Sequence, residues 1–255
     1  MPDNPNQTAA LRGKAALITG AARRVGAAIA RKLHAAGANV VLHYRSSGEA
    51  AEAMAKELNE TRPNSAVLVE ADLLDVGQLK MLPDIATSNF GSLDILVNNA
   101  STFYPTPVGD ITEIDWDDLM GTNLKAPLFL SQAASTALRI SNGLIVNIAD
   151  IHGTQPLARH TVYSLAKAGV VMLTKSLARE LGPSIRVNAI APGPVMWPED
   201  GMDKERQAMI VERTALKRPG SPDDVARAVL FFATEAPYVT GQILAVDGGR
   251  SAGGW

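Results

Sequence analysis

Short β-rich runs alternate with stretches of helical spacing along almost the whole chain, and this alternation dictates βαβ units and a parallel sheet rather than a sandwich or a helical bundle. Ala15 to Thr19 reads as the first strand, after which Val25, Ile29, Leu33 and Ala36 recur at helical spacing until Gly37 supplies a stop. Asn39 to Tyr44 is the second strand, Glu49 to Leu58 a helix, Ala66 to Val69 the third strand and Leu93 to Val97 the fourth. Asp115 to Leu138 reads as one long helix in which Pro127 demands a kink or a break, because its ring removes a helix hydrogen bond and crowds the preceding turn. Leu144 to Ile148 is a buried strand. Ala166, Val170, Leu173, Leu177 and Leu181 then form one helical stripe that stops at Gly182-Pro183, and Ile185 to Ile190 and Ile243 to Val246 complete about seven strands. The expectation is one doubly wound α/β domain over 14–255, with helices on both faces of the sheet, behind a short flexible arm at 1–13. Between Pro192 and Pro222 the periodicity weakens, and the stretch reads as a mobile cover over the carboxyl edge of the sheet.

Composition removes whole classes of function. The 24 Lys and Arg and the 26 Asp and Glu are dispersed along the chain, so no electrostatic footprint for nucleic acid emerges. With no cysteine there is no disulfide framework, thiolate metal site or cysteine nucleophile, and the four histidines never form HExxH, so no metal is expected. The polar N-terminus lacks the pattern of a signal peptide, and no apolar run reaches the length of a membrane span, which implies a cytoplasmic protein without membrane contact.

Candidate chemistry gathers at the carboxyl ends of the strands, where ligands of doubly wound sheets bind. Directly after the first strand, Thr19-Gly20-Ala21-Ala22-Arg23-Arg24-Val25-Gly26 opens a helix. Its small residues allow backbone to approach a pyrophosphate, and the helix N-terminus offers unpaired N–H groups and a positive dipole end, as in a Rossmann-like turn. Such a turn also needs glycine for geometry alone. The second strand ends in His43-Tyr44-Arg45-Ser46-Ser47, without the acid that would bind a ribose 2′-hydroxyl. Arg45, Ser46 and Ser47 suit a 2′-phosphate instead, which favours NADP over NAD; otherwise Arg45 is a solvated loop residue. Glu49, the nearest acid, reads as a first-turn helix residue. Asp72, beside Leu73, either accepts from an adenine amino group or caps a helix. Asn98 and Asn99, ahead of Ala100, read first as braces for turn backbone. Tyr163 and Lys167 stand four apart on the helix after the fifth strand, hence on one face, where the ammonium would lower the phenol's pKa from about 10.

From Lys14 to Gly249 the chain resembles the short-chain dehydrogenase/reductase family: the TGxxx turn, Asn98-Asn99-Ala100, Asn123 in the long helix, Tyr163 with Lys167, Pro192-Gly193, and the closing Val246-Asp247-Gly248-Gly249. Two departures narrow the likeness. Arg24 stands where ordinary members have Gly, and Asp150 where they have Ser. Together with Asn99-Ala100-Ser101 and the following Thr102-Phe103-Tyr104-Pro105-Thr106-Pro107, these look like the pteridine reductases of that family. The resemblance implies hydride transfer from NADPH to the C–N double bond of a dihydropterin or dihydrofolate, with oxidised pterins as a further substrate. It makes Tyr163 and Asp150 the proton source, gives Lys167 the ribose, and gives Asn123 a supporting place in a water relay. It puts Gly20, Arg23, Arg24, Val25, Tyr44, Arg45, Ser46, Asp72, Leu73, Asn99, Ala100, Ser101, Pro192 and Gly193 around the dinucleotide, and implies a homotetramer built partly on the long helices. The residues themselves agree with this. A carboxylate at position 150 would repel a ketone oxygen but can face a ring N–H, Phe103 can stack on a flat heteroaromatic ring or else anchor its loop in the core, and Arg24 can hold the cofactor and reach a ring oxygen. The alternatives are a carbonyl reductase acting on 3-oxoacyl thioesters, which Asp150 argues against, and a non-catalytic NADP-binding sensor.

Overall fold

A computed structural model describes residues 10–197 and 201–253. Seven strands form one parallel sheet: β1 Ala15–Ile18, β2 Asn39–Tyr44, β3 Ala66–Glu70, β4 Ile95–Asn98, β5 Leu144–Ile148, β6 Arg186–Pro192 and β7 Ile243–Val246. Their order is β3-β2-β1-β4-β5-β6-β7. Strand order therefore reverses between β1 and β4, and the connections leaving those two strands diverge to open a crevice at their carboxyl ends.

Alternate residues of each strand feed opposite cores. Ile18, Val97 and Val146 pack with α1 (Arg24–Ala35), α2 (Gly48–Thr61) and α9 (Pro222–Thr234), through Ile29, Leu33, Met54 and Phe232. Leu17, Leu96 and Ile145 pack on the other face, against Leu82 of α4 (Leu82–Phe90), Leu130 and Leu138 of α6 (Ala126–Ser141) and Leu177 of α7 (Thr161–Leu181). Each such fully buried side chain contributes about 1.5–3 kcal/mol of hydrophobic stabilisation. Together they hold the strand ends in fixed register, with Leu17 opposite Val41 on one side and Leu96 on the other.

The strand reading holds to within two residues, and Glu49 does lie in the first turn of α2. Three helices are additions: α3 (Val76–Leu79), α4 and α9. The long helix is divided. Following α5 (Glu113–Met120), the ladder widens into a π-turn at Gly121–Lys125 before α6 begins. The proline effect thus falls just upstream of Pro127, where the wider turn accommodates its missing N–H and its ring. The stretch expected as a cover contains α8 (Lys204–Glu212), capped by Asp203, whose side chain accepts from the Arg206 N–H at 2.7 Å. Pro198 lies outside the described residues, as do 1–9 of the expected arm. Leu11 is buried in the core, and its N–H donates to the Ala36 carbonyl at 2.9 Å. No helix among the described residues is long and apolar enough to cross a membrane.

Candidate active site

The turn from β1 into α1 is built for close approach. Gly20 has φ +61°, and a Cβ there would sit 3.0 Å from the Ala100 Cα; at Gly26 a Cβ would meet the Gly20 carbonyl oxygen at 2.1 Å. Neighbouring strands pin the turn. The Asn99 side-chain amide donates to the Thr19 and Gly20 carbonyls at 2.8 and 3.1 Å, while the Thr19 hydroxyl accepts from the Asn99 and Ala100 N–H groups. The Gly20 N–H donates to Nδ1 of His43, whose Nε2 faces the Ala71 carbonyl at 3.1 Å. Burial lowers the pKa of His43, which fits a neutral ring accepting at Nδ1 and donating at Nε2. The first departure carries a conformational cost. Arg24 adopts φ +55°, the left-handed region that favours glycine, and such strain costs about 1–3 kcal/mol. Its guanidinium donates to the Trp197 carbonyl at 3.1 Å, across the crevice.

This end of the crevice fits a dinucleotide. The first turn of α1 has neither an acidic residue nor a side-chain cap, so its N–H groups are available to a phosphate. Tyr44, Arg45, Ser46 and Ser47 line the adjoining wall. Asp72 also lines it, and its Oδ1 accepts from the Leu74 N–H at 3.0 Å; the cap of α3 is Asp75, so the helix-cap reading of Asp72 is not what forms.

Asn98 bridges buried elements as a brace should, donating to Oδ1 of Asn147 at 2.8 Å and to Oγ of Ser131 at 3.2 Å. Asn123 projects from the π-turn. Its Oδ1 accepts from the Ser101 hydroxyl at 2.5 Å, and its amide donates to the Thr102 and Leu119 carbonyls at 3.0 and 2.9 Å. Asn123 thereby tethers the segment after β4 to the helix.

At the centre stand Asp150, Tyr163 and Lys167. Asp150 follows β5; one carboxylate oxygen accepts from the His152 N–H and the other from the Tyr163 hydroxyl, both at 2.8 Å. Tyr163 is 4% exposed and Lys167 is 2% exposed, with the Lys167 ammonium 5.6 Å from the phenol ring centre. The expected lowering of the phenol pKa is not what this geometry produces. Burial and then the Asp150 charge push Tyr163 well above 10, while burial brings Lys167 down to about 8 against an opposing pull from Asp150. Desolvation and the nearby carboxylate outweigh the ammonium. Among the described residues the Lys167 ammonium donates to the Ile148 carbonyl alone, at 3.0 Å, so two of its three donors remain to hold ribose hydroxyls.

Phe103 is 50% exposed and lines the crevice, so it does not anchor its loop in the core. Its ring stacks on His160 at 4.6 Å and 15°, and meets Tyr163 edge to face at 4.8 Å and 79°. Sequence reasoning missed His160, the residue that precedes α7, because its partner Phe103 is distant in the chain. It also missed His43, Trp197 and Arg250. Every sequence-derived site residue except Asn123 lines a single cleft of about 1330 Å³, Pro192 and Gly193 included. Asn123 stands one hydrogen bond behind it. This volume exceeds the 300–1,000 Å³ of a usual small-molecule pocket, enough for a dinucleotide and a second molecule.

A dinucleotide turn, a buried Tyr/Lys pair on the helix after β5 and one shared cleft define a class, and comparison with known proteins agrees. A family model described as enoyl-(acyl carrier protein) reductase matches residues 20–251. The chain is 37% identical to pteridine reductase 1 of Leishmania tarentolae, over 92% of this chain and 96% of that protein. It is also 37% identical to a 3-oxoacyl-[acyl-carrier-protein] reductase FabG of Staphylococcus aureus, over 92% and 97%, and 36% identical to a short-chain type dehydrogenase/reductase of Picea abies, over 94% and 93%. Among solved structures, a blue fluorescent protein from a metagenomic library, in complex with NADPH, superposes with a TM-score of 0.88 at 36% identity, covering 94% of this chain and 98% of that one. The chain belongs to the short-chain dehydrogenase/reductase family, whose members are NAD(P)-dependent oxidoreductases. Equal identity to a pteridine reductase and to a 3-oxoacyl reductase leaves the substrate to be argued from the site.

Proposed function

We propose that this protein is an NADPH-dependent pteridine reductase. The observation that carries the reading is the Asp150 carboxylate bound to the Tyr163 hydroxyl at 2.8 Å, with the half-exposed Phe103 ring against Tyr163. A ketone oxygen placed here would meet a second acceptor. A pteridine presents N–H groups and ring nitrogens to the same carboxylate, and a flat face to Phe103.

When bound, the dihydronicotinamide supplies the hydride. The chain's own residues do the rest. The N–H groups of the first turn of α1, with Gly20, Arg23 and Val25, receive the pyrophosphate; Tyr44, Arg45 and Ser46 receive the 2′-phosphate; Asp72 and Leu73 flank the adenine. Asn99, Ala100, Ser101, Pro192 and Gly193 enclose the nicotinamide half. Tyr163 keeps its proton across the neutral range because burial and Asp150 both oppose ionisation, so it can deliver that proton to the ring nitrogen being reduced, and the Asp150 carboxylate then relays a replacement proton from solvent to the phenolate. Lys167 holds the ribose, Asn123 keeps Ser101 in place, and Arg24 closes over the pteridine from the Trp197 side. The same reading extends to a homotetramer, for which α5, α7 and the exposed Ile114, Leu165 and Met172 offer an apolar face; sedimentation at micromolar concentration tests it.

The deciding experiment is an NADPH-oxidation panel of dihydrobiopterin, dihydrofolate, biopterin and a 3-oxoacyl thioester. We expect kcat/KM for a dihydropteridine to exceed that for the thioester by about 100-fold or more, the discrimination of a site built to hydrogen-bond its substrate. Equal or faster thioester reduction would establish the carbonyl reductase, and NADPH binding without turnover of any of these would establish the sensor.

A further inference from the structure

Beyond Asp150 the cleft continues to an end that the pteridine ring and dinucleotide leave unexplained. Arg206 and Ile210 lie four apart on α8, hence on one face, and both line the cleft. The Arg250 guanidinium donates to the Ile210 carbonyl at 3.2 Å and also lines it. Arg250 is held there by its neighbours. Asp247 accepts from the N–H groups of Gly249 and Ser251 at 2.9 and 2.7 Å, and the Ser251 carbonyl accepts from the Gln155 side chain at 3.0 Å, which ties this segment to the loop that follows Asp150.

The guanidinium groups here have no carboxylate bound to them among the described residues. Arg213, Asp150 and Asp247 all lie within electrostatic reach of Arg250. Among the described residues none of Arg206, Arg213 and Arg250 forms an ion pair with a carboxylate. Of the acids nearby, Asp203 caps α8, Asp247 is committed to the Gly249 and Ser251 groups, and Asp150 to Tyr163 and His152. The cleft that Phe103 and these arginines share is also lined by the apolar Leu157, Met202 and Ile210. Aromatic ring, apolar wall and two guanidinium groups thus line one groove.

We propose that this end is a subsite for the carboxylate-bearing tail of a conjugated pteridine of the folate type, with Arg206 and Arg250 as its ligands and the apolar wall as the bed for the aromatic arm. The proposal rests on the pteridine reading and names the substrate class within it. Guanidinium forks match a carboxylate bidentately, and a tail held in a half-open groove is sensitive to salt.

The test is kcat/KM for dihydrofolate and for dihydrobiopterin, which lacks the charged tail, measured across ionic strength in the wild type, Arg206→Gln and Arg250→Gln. We expect the wild type to favour dihydrofolate about tenfold at low salt, and the preference to shrink as salt rises. Each substitution should lower the dihydrofolate-to-dihydrobiopterin ratio about 5- to 10-fold, through KM rather than kcat. Arg206, exposed and without a side-chain partner among the described residues, keeps the test valid should Arg250→Gln fold poorly. A ratio unmoved by salt and by Arg206→Gln, with both pteridines still reduced, overturns the subsite and leaves the reductase standing. Reduction of neither pteridine overturns both.

Discussion

The two ends of the crevice are made of different material. At the dinucleotide end the working surface is backbone: a glycine turn, the open first turn of α1 and strand ends tied by Thr19, Asn99 and His43. At the substrate end it is side chains from separate segments, with Phe103 after β4, Asp150 after β5, His160 at the start of α7, Tyr163 on it, and Arg206 and Arg250 far along the chain. A backbone cradle serves any reaction that uses the same dinucleotide. Side chains at the far end decide what is reduced, which is why equal identity to relatives of different substrate says little about this one.

The sharpest way to break this division is Asp150→Ser. If Asp150 works only at the substrate end, NADPH affinity should stay within about twofold by titration while pteridine turnover falls about 10²- to 10⁴-fold, the usual contribution of a positioned proton-transfer group. Near wild-type turnover would leave Arg24 and Phe103 as the only support for the substrate class.

At the opposite end, Arg45 and Ser46 should make NADPH bind at least about tenfold tighter than NADH, a gap of about 1.4 kcal/mol that one charge-assisted phosphate contact supplies. Equal affinities by fluorescence titration would remove the 2′-phosphate site.

Lys167 sits where the ends meet, and its titration tests the join. In the free protein burial brings it to about 8, whereas ribose hydroxyls would favour the ammonium and raise that value. Binding should therefore take up a proton above pH 8. Affinity is full below about pH 8 and weakens as pH rises, by at most about tenfold per unit for one proton. Calorimetry in buffers of different ionisation enthalpy reads the uptake, which Lys167→Met should abolish. A pH-independent Kd from about pH 7 to 9.5 would take the ribose away from Lys167.

The smallest effect separates the ends once more. Phe103→Ala should weaken a bound pteridine by about 0.5–1.5 kcal/mol beyond the lost area and spare NADPH. An unchanged inhibition constant for a pteridine analogue, in a variant of unchanged Tm, would deny the ring its stacking role.

Legibility in the sequence divides along the same line. The strands, the β1–α1 turn and the Tyr163/Lys167 pair rest on local periodicity and i, i+4 spacing, and the structure places them within two residues. The stack of Phe103 on His160 joins residues 57 positions apart, and no local rule reports it. The direction of the Tyr163 shift is hidden for a similar reason, since spacing shows the Lys167 charge but not the burial that overrides it. Helix α9 had a readable start, because Ser221 and Asp224 form a capping box around Pro222, whereas α3 and α4 are short and carry only a weak stripe.

The π-turn at Gly121–Lys125 sets helix phase. One residue beyond the α repeat rotates all of α6 by about 100° relative to α5. Because of that offset, a single rod of helix presents Leu119 to Val162 and Tyr163, and Ala126, Leu130, Ala134 and Leu138 to the sheet. Deleting one residue between 121 and 125 would restore a common repeat, and either Leu119 would turn away from Tyr163 or the apolar stripe would turn away from the sheet. The number of residues in this segment, more than their identity, couples the tyrosine to the core.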